Sequence, residues 1–178
     1  MNRIILAVLA TAVAVPSSAH DPRSSAREFS HALHVEGAGS VDLRYKSLHW
    51  NPAAYARLMS DAAIRDRVNA GVWNDIGSAE LGFDLVIGDK ALAKGSYRFG
   101  LNLDGEDAFS LILTSGEQRL VVPLDVAKSD AAAYVSFTIV PTDAPDTFVL
   151  EGRGGEFVGR AKLTVPYLAD HPEGEATH

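Results

Sequence analysis

The sequence contains no cysteine, and this absence excludes several kinds of site. Without thiol groups the chain forms no disulfide, no thiolate metal centre and no cysteine nucleophile. We expect no lipoprotein anchor either, because the lipid is attached to a cysteine. Stability must therefore come from the burial of apolar side chains, and 178 residues are enough for one domain with a substantial core.

Basic residues are also in short supply. The chain has 16 Lys and Arg against 23 Asp and Glu, which gives a formal net charge of −7. Nucleic-acid binding depends on clustered Lys and Arg that neutralise phosphates, and no basic stripe runs along this sequence. We therefore expect no nucleic-acid partner.

The motifs of common hydrolases are missing as well. No G-x-S-x-G sequence places a serine on a strained turn. The densest acidic group is Asp104, Glu106 and Asp107, but it falls in a short turn between two predicted strands, where solvated carboxylates are usual. A Ca²⁺ loop is the alternative for this turn, although it is shorter than an EF-hand loop and lacks its spacing. The absence of motifs favours a protein that is not an enzyme.

One long apolar run lies near the start of the chain. Arg3 is followed by 12 mostly apolar residues, Ile4 to Val15, and Pro16 ends the run. Ser17-Ser18-Ala19 then supplies the small residues of a cleavage site. The run is shorter than the roughly 20 residues of a membrane-spanning helix. Residues 1–19 are therefore predicted to be a cleaved signal peptide, which implies a periplasmic or secreted bacterial protein without a membrane span after cleavage.

After the signal, apolar residues recur mainly at every second position, as in half-buried strands. Leu81 to Ile87, Tyr97 to Leu103 and Phe109 to Leu113 repeat this alternation and predict an antiparallel meander with one buried face. Two later strands are predicted to be joined as a hairpin at Gly152 to Gly155, because glycine adopts positive φ at little cost. The whole pattern predicts a mainly β fold, an antiparallel β-sandwich of about eight or nine strands.

One helix interrupts the strands. Asn51 is a good N-cap, and Pro52 is tolerated at the first helical position because its missing N–H would be unpaired there. Apolar residues follow at helical spacing, and Gly71 is a natural stop. A weak break at Ser60-Asp61 allows two short helices instead of one inserted helix.

The predicted organisation of the chain follows from these segments. Residues 1–19 are the signal peptide, and residues 20–40 are an N-terminal arm with a strand or short helix near 29–35. Residues 41–168 form the sandwich domain. The polar residues 169–178 are expected to form a flexible tail.

A spaced set of aromatic and glycine residues runs through the predicted sandwich between Val41 and Val165. Its members are Tyr45, Trp73, Gly77, Gly88, Lys94-Gly95-Ser96-Tyr97 and Phe109. This set resembles the bacterial family catalogued as domain of unknown function 2911. The loop after Trp73 departs from that family, because Asn74-Asp75-Ile76-Gly77-Ser78 has no arginine. The resemblance implies an exported β-rich domain and supplies no activity.

The departing loop and the aromatic residues near it are the candidate ligand contacts. Tyr45, Trp73, Asn74 and Asp75 combine aromatic rings with polar groups, as small-molecule sites do. Two interpretations of Trp50 and Trp73 remain open. They form either an aromatic platform for a flat ligand or the packed ends of the core.

Histidines are the candidate metal ligands. Cleavage after Ala19 would make His20 the first residue, whose free amine and imidazole can chelate Cu or Zn together with His31, His34 or His49. His31 and His34 are three apart and would share a face on a helix. The alternative is that these histidines are solvated and that the protein has no cofactor.

These features favour a non-enzymatic binding or accessory module in the periplasm, with a small molecule or a protein as its partner. A periplasmic copper- or zinc-binding protein is one alternative. A hydrolase without a recognisable motif is the other.

Overall fold

A computed structural model describes residues 27–170 of the chain. The predicted signal peptide, His20 and residues 171–178 of the predicted tail lie outside the described residues. The strands are β1 (Arg27–Val35), β2 (Gly39–Ser47), β3 (Gly77–Leu81), β4 (Leu85–Ile87), β5 (Lys90–Leu92), β6 (Gly95–Gly105), β7 (Ala108–Ser115), β8 (Gln118–Pro123), β9 (Asp125–Pro141) and β10 (Thr147–Thr164). The helices are α1 (Pro52–Ser60), α2 (Ala62–Ala70) and α3 (Pro166–Asp170), with a 3₁₀ turn at Val72–Asn74.

The strands form two antiparallel sheets that pack face to face as an open sandwich. One sheet has six strands in the order β1-β2-β3-β6-β7-β8, and the other has four in the order β5-β4-β10-β9. Their facing sides share one buried core, in which Phe137 makes edge-to-face contacts with Tyr45 and Phe99 at centroid distances of 5.3 and 5.2 Å. The predicted mainly β sandwich is confirmed, although residues 27–170 contain ten strands rather than eight or nine.

The predicted strand from Leu81 to Ile87 is wrong, because it divides between the two sheets. β3 ends at Leu81 in the six-stranded sheet, and β4 begins at Leu85 in the four-stranded sheet. Gly82 makes this crossing possible, since a Cβ there would lie 2.7 Å from the carbonyl oxygen of Ser40. The alternating pattern continues across the break because both strands direct their apolar side chains into the same core.

The region near residues 29–35 is a strand and not a short helix. β1 pairs with β2 along its whole length, from Arg27 opposite Ser47 to Val35 opposite Gly39. It forms one edge of the six-stranded sheet. The residues of the predicted N-terminal arm that are described therefore belong to the sandwich.

The predicted single helix is two short helices that meet at Asp61. Asn51 caps α1 by accepting hydrogen bonds from the N–H groups of Ala53 and Ala54. Asp61 has an extended backbone, with φ −135° and ψ 100°, and its carboxylate accepts a hydrogen bond from the N–H of Ile64. The break at Ser60-Asp61 thus arises because Asp61 ends α1 and caps α2.

The predicted hairpin turn at Gly152 to Gly155 is also wrong. β10 runs through these glycines as one strand and pairs with β9 on both sides of them, with register shifts around Gly155. A Cβ on Gly154 would lie 3.0 Å from the Trp50 ring, and Gly155 has a φ of +58° beside the same ring. The glycines therefore accommodate an indole and a bulge rather than a turn.

Glu151 shows that β10 bends strongly at this bulge. Its carboxylate accepts hydrogen bonds from Nε of Arg153 at 2.7 Å and from Nε of Arg160 at 2.9 Å. Residues 151 and 160 would lie about 30 Å apart on a straight strand, so only a bent strand brings them together. Burial would raise the pKa of Glu151, but the hydrogen bonds and charges of the two guanidinium groups outweigh it and hold the pKa below its ordinary value.

Glu151→Gln is expected to lower the free energy of unfolding by about 1–2 kcal/mol near neutral pH, because it weakens two charge-assisted hydrogen bonds. Since the folded-state pKa is depressed, this contribution is present above the unfolded-state pKa and is lost as the pH falls through the folded-state pKa. Urea denaturation of the parent protein and of Glu151→Gln from pH 7 to pH 3 measures this contribution to the free energy of unfolding. Glu156→Gln, at an exposed carboxylate paired with Lys128, is the control. Parallel stability–pH curves for the parent and Glu151→Gln would contradict the expectation.

Candidate functional site

The space between the two sheets is filled. Two cavities there have volumes of about 20 and 30 Å³ and are lined by core residues such as Leu111, Phe137 and Phe157. Each has room for one or two water molecules only. Neither cavity has room for a ligand of organic size.

Tyr45 is a buried residue that links the two sheets. Its hydroxyl donates a hydrogen bond to the carbonyl oxygen of Phe137 and accepts one from the N–H of the same residue, both at 3.0 Å. Burial raises the pKa of Tyr45, and the hydrogen bond with Phe137 opposes that rise. The hydroxyl proposed as a ligand contact is thus occupied by the backbone of β9.

Trp73 is half-buried in a second apolar cluster beneath α1 and α2. Its ring stacks on Phe109 at a centroid distance of 6.4 Å and lies 6.2 Å from the ring of Trp50. The cluster also contains Leu58, Tyr55, Leu103 and Phe157. This packing matches the interpretation of both tryptophans as the packed end of the core.

The described histidines lie apart from one another. His31 and His34 are three apart on a strand, so their side chains point to opposite faces. His31 stacks beside Tyr45 at 6.2 Å, whereas the exposed His49 packs edge-on against Tyr134 at 5.3 Å. Within residues 27–170, no three His, Asp or Glu side chains are grouped to hold a metal ion. His20 lies outside the described residues.

A large depression lies on the outward side of the six-stranded sheet. It is open, has a volume of about 910 Å³ and is lined by residues of β1, β2, β3 and β6 and by residues 75 and 76 of the connection to β3. We call it the outer-face groove. Its charged side chains are Glu28, Asp42, Arg44, Lys46, Asp75 and Arg98. The predicted ligand contacts Tyr45 and Asp75 and the predicted metal ligand His31 also line this groove.

The other polar residue of the predicted loop, Asn74, lies in a neighbouring depression. This depression has a volume of about 480 Å³ and is lined by residues of α2, β6 and β8, including Asn69, Asn102 and Arg119. Asn69 is fixed there, because its amide bonds both the N–H and the carbonyl oxygen of Leu103 at 3.0 Å. Of the predicted contacts, Tyr45 and Asp75 thus share the outer-face groove, whereas Asn74 lies in the neighbouring depression.

The pairing of the strands aligns one residue from each of the six strands in a single row on the outward face. The row is Ser30, Arg44, Ser78, Arg98, Thr114 and Arg119, in spatial order. We call it the arginine row. Successive arginines are two strands apart, or about 9.6 Å at a strand spacing of about 4.8 Å. Arginine and hydroxyl side chains alternate along it.

The arginines of the row have few partners within the protein. Within residues 27–170, the side chains of Arg44 and Arg119 form no hydrogen bond or ion pair. Arg98 has one long contact, 3.7 Å from Nη1 to Oδ2 of Asp75, and both side chains are more than half exposed. Such an exposed pair is worth at most about 1 kcal/mol, so the guanidinium of Arg98 is readily available.

Carboxylates flank the row. Asp42 and Glu80 are paired on neighbouring strands in the next row of the same face, and each accepts a hydrogen bond from a serine, Ser40 and Ser96 respectively. On the other side, Glu28 is paired with Lys46, and Asp75 lies beside Arg98. The row is therefore a narrow cationic line within a surface of mixed charge.

The sequence contains a partial signal for this row. Arg44 and Arg98 each occupy a polar position of an alternating strand, which predicts that they face outward. Nothing local shows that they lie two strands apart, because that depends on the pairing of β2 with β3 and of β3 with β6. Arg119 continues the line through the consecutive strands β6, β7 and β8.

No helix among residues 27–170 is long and apolar enough to cross a membrane. Comparison with family models, with curated proteins and with solved structures finds no match to this chain. The resemblance to domain of unknown function 2911 accordingly stays a prediction from the spacing of residues.

Proposed function

We propose that this protein is an exported, non-enzymatic binding module that holds an anionic ligand in the outer-face groove. The arginine row carries the proposal. Arg44 is unpartnered among the described residues, Arg98 has only the contact with Asp75, and both line an open groove. The planar guanidinium group matches carboxylate and phosphate oxygens and binds them in bidentate fashion.

The polar groups of the groove support binding rather than catalysis. A serine nucleophile needs a base within hydrogen-bond distance. Ser30 and Ser78, the serines of the groove, make no side-chain hydrogen bond with a histidine or carboxylate in the described part of the chain. The filled core supports the same proposal, since it leaves the surface as the place for a ligand.

The double variant Arg44→Gln/Arg98→Gln is expected to weaken anion binding about ten-fold, because it removes two charge-assisted contacts. Isothermal titration calorimetry with poly-L-glutamate, dextran sulfate and inorganic phosphate measures the affinity. A rise in salt is expected to weaken the binding of the parent protein, because exposed charges are screened.

The matched control is Arg57→Gln/Arg67→Gln, which removes the same charge from exposed positions on α1 and α2. It is expected to retain the affinity of the parent. Equal losses in the two double variants would show a general charge effect, and absence of binding by all three probes would reject the proposed function.

A further inference from the structure

The spacing of the arginine row defines the geometry of a matching ligand. Arg44, Arg98 and Arg119 stand two strands apart from one another, so their Cα positions recur at intervals of about 9.6 Å across the strands. A ligand that uses all three must carry acidic groups at nearly this interval along an extended axis. Because the interval repeats twice, a small mismatch would accumulate.

A polyproline II peptide meets this requirement. It has three residues per turn and a rise of about 3.1 Å, so every third side chain returns to the same face at intervals of about 9.3 Å. A β-strand places same-face side chains about 6.7 Å apart, which does not fit. An α-helix approaches the interval only at every seventh residue, about 10.5 Å, and its backbone groups are already bonded within the helix.

The hydroxyl groups of the row suit such a backbone. Ser30, Ser78 and Thr114 alternate with the three arginines. The N–H and C=O groups of a polyproline II peptide make no internal hydrogen bonds. Each hydroxyl can therefore bond the peptide backbone in the interval between two acidic side chains.

The mixed charge of the groove favours widely spaced acidic groups. Glu28, Asp42 and Asp75 line the same groove as Arg44 and Arg98 and repel the surplus charges of a densely charged polymer, which weakens its binding relative to that of a ligand with spaced charges. Duplex DNA carries about one charge per 1.7 Å, far denser than the row can neutralise. A ligand with one carboxylate for each arginine avoids this repulsion.

We infer that the ligand is an extended acidic peptide segment that lies across the strands in the polyproline II conformation, with a carboxylate at every third residue opposite Arg44, Arg98 and Arg119. This inference rests on the proposed function, names the ligand class of the outer-face groove and extends the site to Arg119, which lines the neighbouring depression. The carboxylate of Asp75 lies beside Arg98, where a ligand carboxylate would bind. The pair of Asp75 and Arg98 must therefore separate when the peptide binds.

The test uses two peptides of equal charge and composition, labelled with a fluorophore. One has the order Asp-Pro-Pro-Asp-Pro-Pro-Asp, and the other has its three Asp residues adjacent, between flanking prolines. Fluorescence anisotropy with the full mature protein is expected to show binding of the spaced peptide about five-fold or more tighter than that of the clustered peptide, because only the spaced peptide reaches three arginines.

Single variants test the three contacts. Arg44→Gln, Arg98→Gln and Arg119→Gln are each expected to weaken binding of the spaced peptide about three- to ten-fold, and Arg57→Gln is expected to have no effect. Asp75→Asn is expected to strengthen binding about two- to five-fold, since it frees Arg98. The exposure of these side chains predicts unchanged circular dichroism and thermal midpoints.

Equal affinities for the two peptides, or an Arg119→Gln variant with the affinity of the parent, would overturn the inference. If neither peptide binds but dextran sulfate or an oligonucleotide binds in an Arg44- and Arg98-dependent way, the proposed function holds and the peptide is the wrong ligand class. If neither Arg44→Gln nor Arg98→Gln changes the affinity for any anion, the proposed function and the inferred ligand class are both rejected.

Discussion

Gly155→Ala is expected to lower the free energy of unfolding by about 2–5 kcal/mol, one of the two largest effects expected for this protein. Two costs combine at this position. Gly155 has a φ of +58°, a conformation that L-residues adopt at a cost of about 1–2 kcal/mol. A Cβ there would also overlap Nε1 of Trp50 and lie 2.5 Å from Cε2, which adds the cost of overpacking.

The second cost is large because Trp50 has little room to move. Its ring contacts Tyr55, Trp73, Phe109 and Phe157 at centroid distances of 5.3, 6.2, 6.5 and 5.8 Å. Displacing the indole would disturb the packing beneath α1 and α2 as well as the bend of β10. Urea denaturation followed by tryptophan fluorescence measures the change.

Gly116→Ala is the matched control for the backbone cost. Gly116 has nearly the same φ, +57°, and no atom lies within 4 Å of the position of its Cβ. This variant is expected to lose only about 1–2 kcal/mol. If the two alanine variants lose equal stability, contact with Trp50 is not the reason for glycine at position 155.

Tyr45→Phe is expected to lower the free energy of unfolding by about 2–4 kcal/mol, although it removes a single oxygen atom. The hydroxyl is the partner of both the N–H and the carbonyl oxygen of Phe137, and Tyr45 is 3% exposed. Phenylalanine would leave these two buried backbone groups unpaired, and each unpaired group costs about 1–3 kcal/mol.

The N–H and carbonyl groups of Phe137 belong to a line of hydrogen bonds between residues 45–50 and the outer edge of β9, where the two sheets meet. β9 is the edge strand of the four-stranded sheet, and its outer edge is bonded by the end of β2 and the residues after it. The Ser47 hydroxyl donates to the carbonyl oxygen of Val135, the N–H of Val135 donates to Leu48, and the N–H of Trp50 donates to Ala133. Tyr45 continues this line of hydrogen bonds toward Phe137, but it does so through its side-chain hydroxyl rather than through its backbone.

The control for Tyr45 is Tyr97→Phe. Tyr97 is also buried, but its hydroxyl makes one hydrogen bond, to the carbonyl oxygen of Ala93 at 2.9 Å. A loss of about 1 kcal/mol is expected there. Equal losses in the two variants, measured by urea denaturation, would contradict the bridging role of Tyr45.

The elements predicted most accurately depend on local interactions. The alternation in Tyr97 to Leu103 and Phe109 to Leu113 predicts β6 and β7, because side chains of a strand alternate between faces. Asn51, Pro52 and Asp61 mark the start and the division of the helical segment, because caps bond backbone groups within a few residues. All the residues that determine such an element lie within a short stretch of the sequence.

The errors occur where a distant residue determines the local conformation. Gly152 to Gly155 has the composition of a turn, but Trp50 from another part of the chain packs against Gly154 and Gly155 and keeps the segment in β10. Leu81 to Ile87 has unbroken alternation, and only the two-sheet arrangement shows that the chain changes sheets at Gly82. Neither the packing of Trp50 nor the change of sheet at Gly82 can be predicted from the residues that flank these segments.

The candidate site shows the same division more sharply. The sequence predicts a β-rich domain, strands with one buried face and the outward direction of Arg44 and Arg98. Only the tertiary structure shows that Arg44 stands in one line with Arg98 and Arg119. β2 is joined to β6 through β3, across connections that contain the helices and the strands β4 and β5, whereas β6, β7 and β8 are consecutive strands. A one-residue slip in pairing would turn every side chain to the other face. An acidic chain without a basic stripe in its sequence thus acquires a cationic row only on folding.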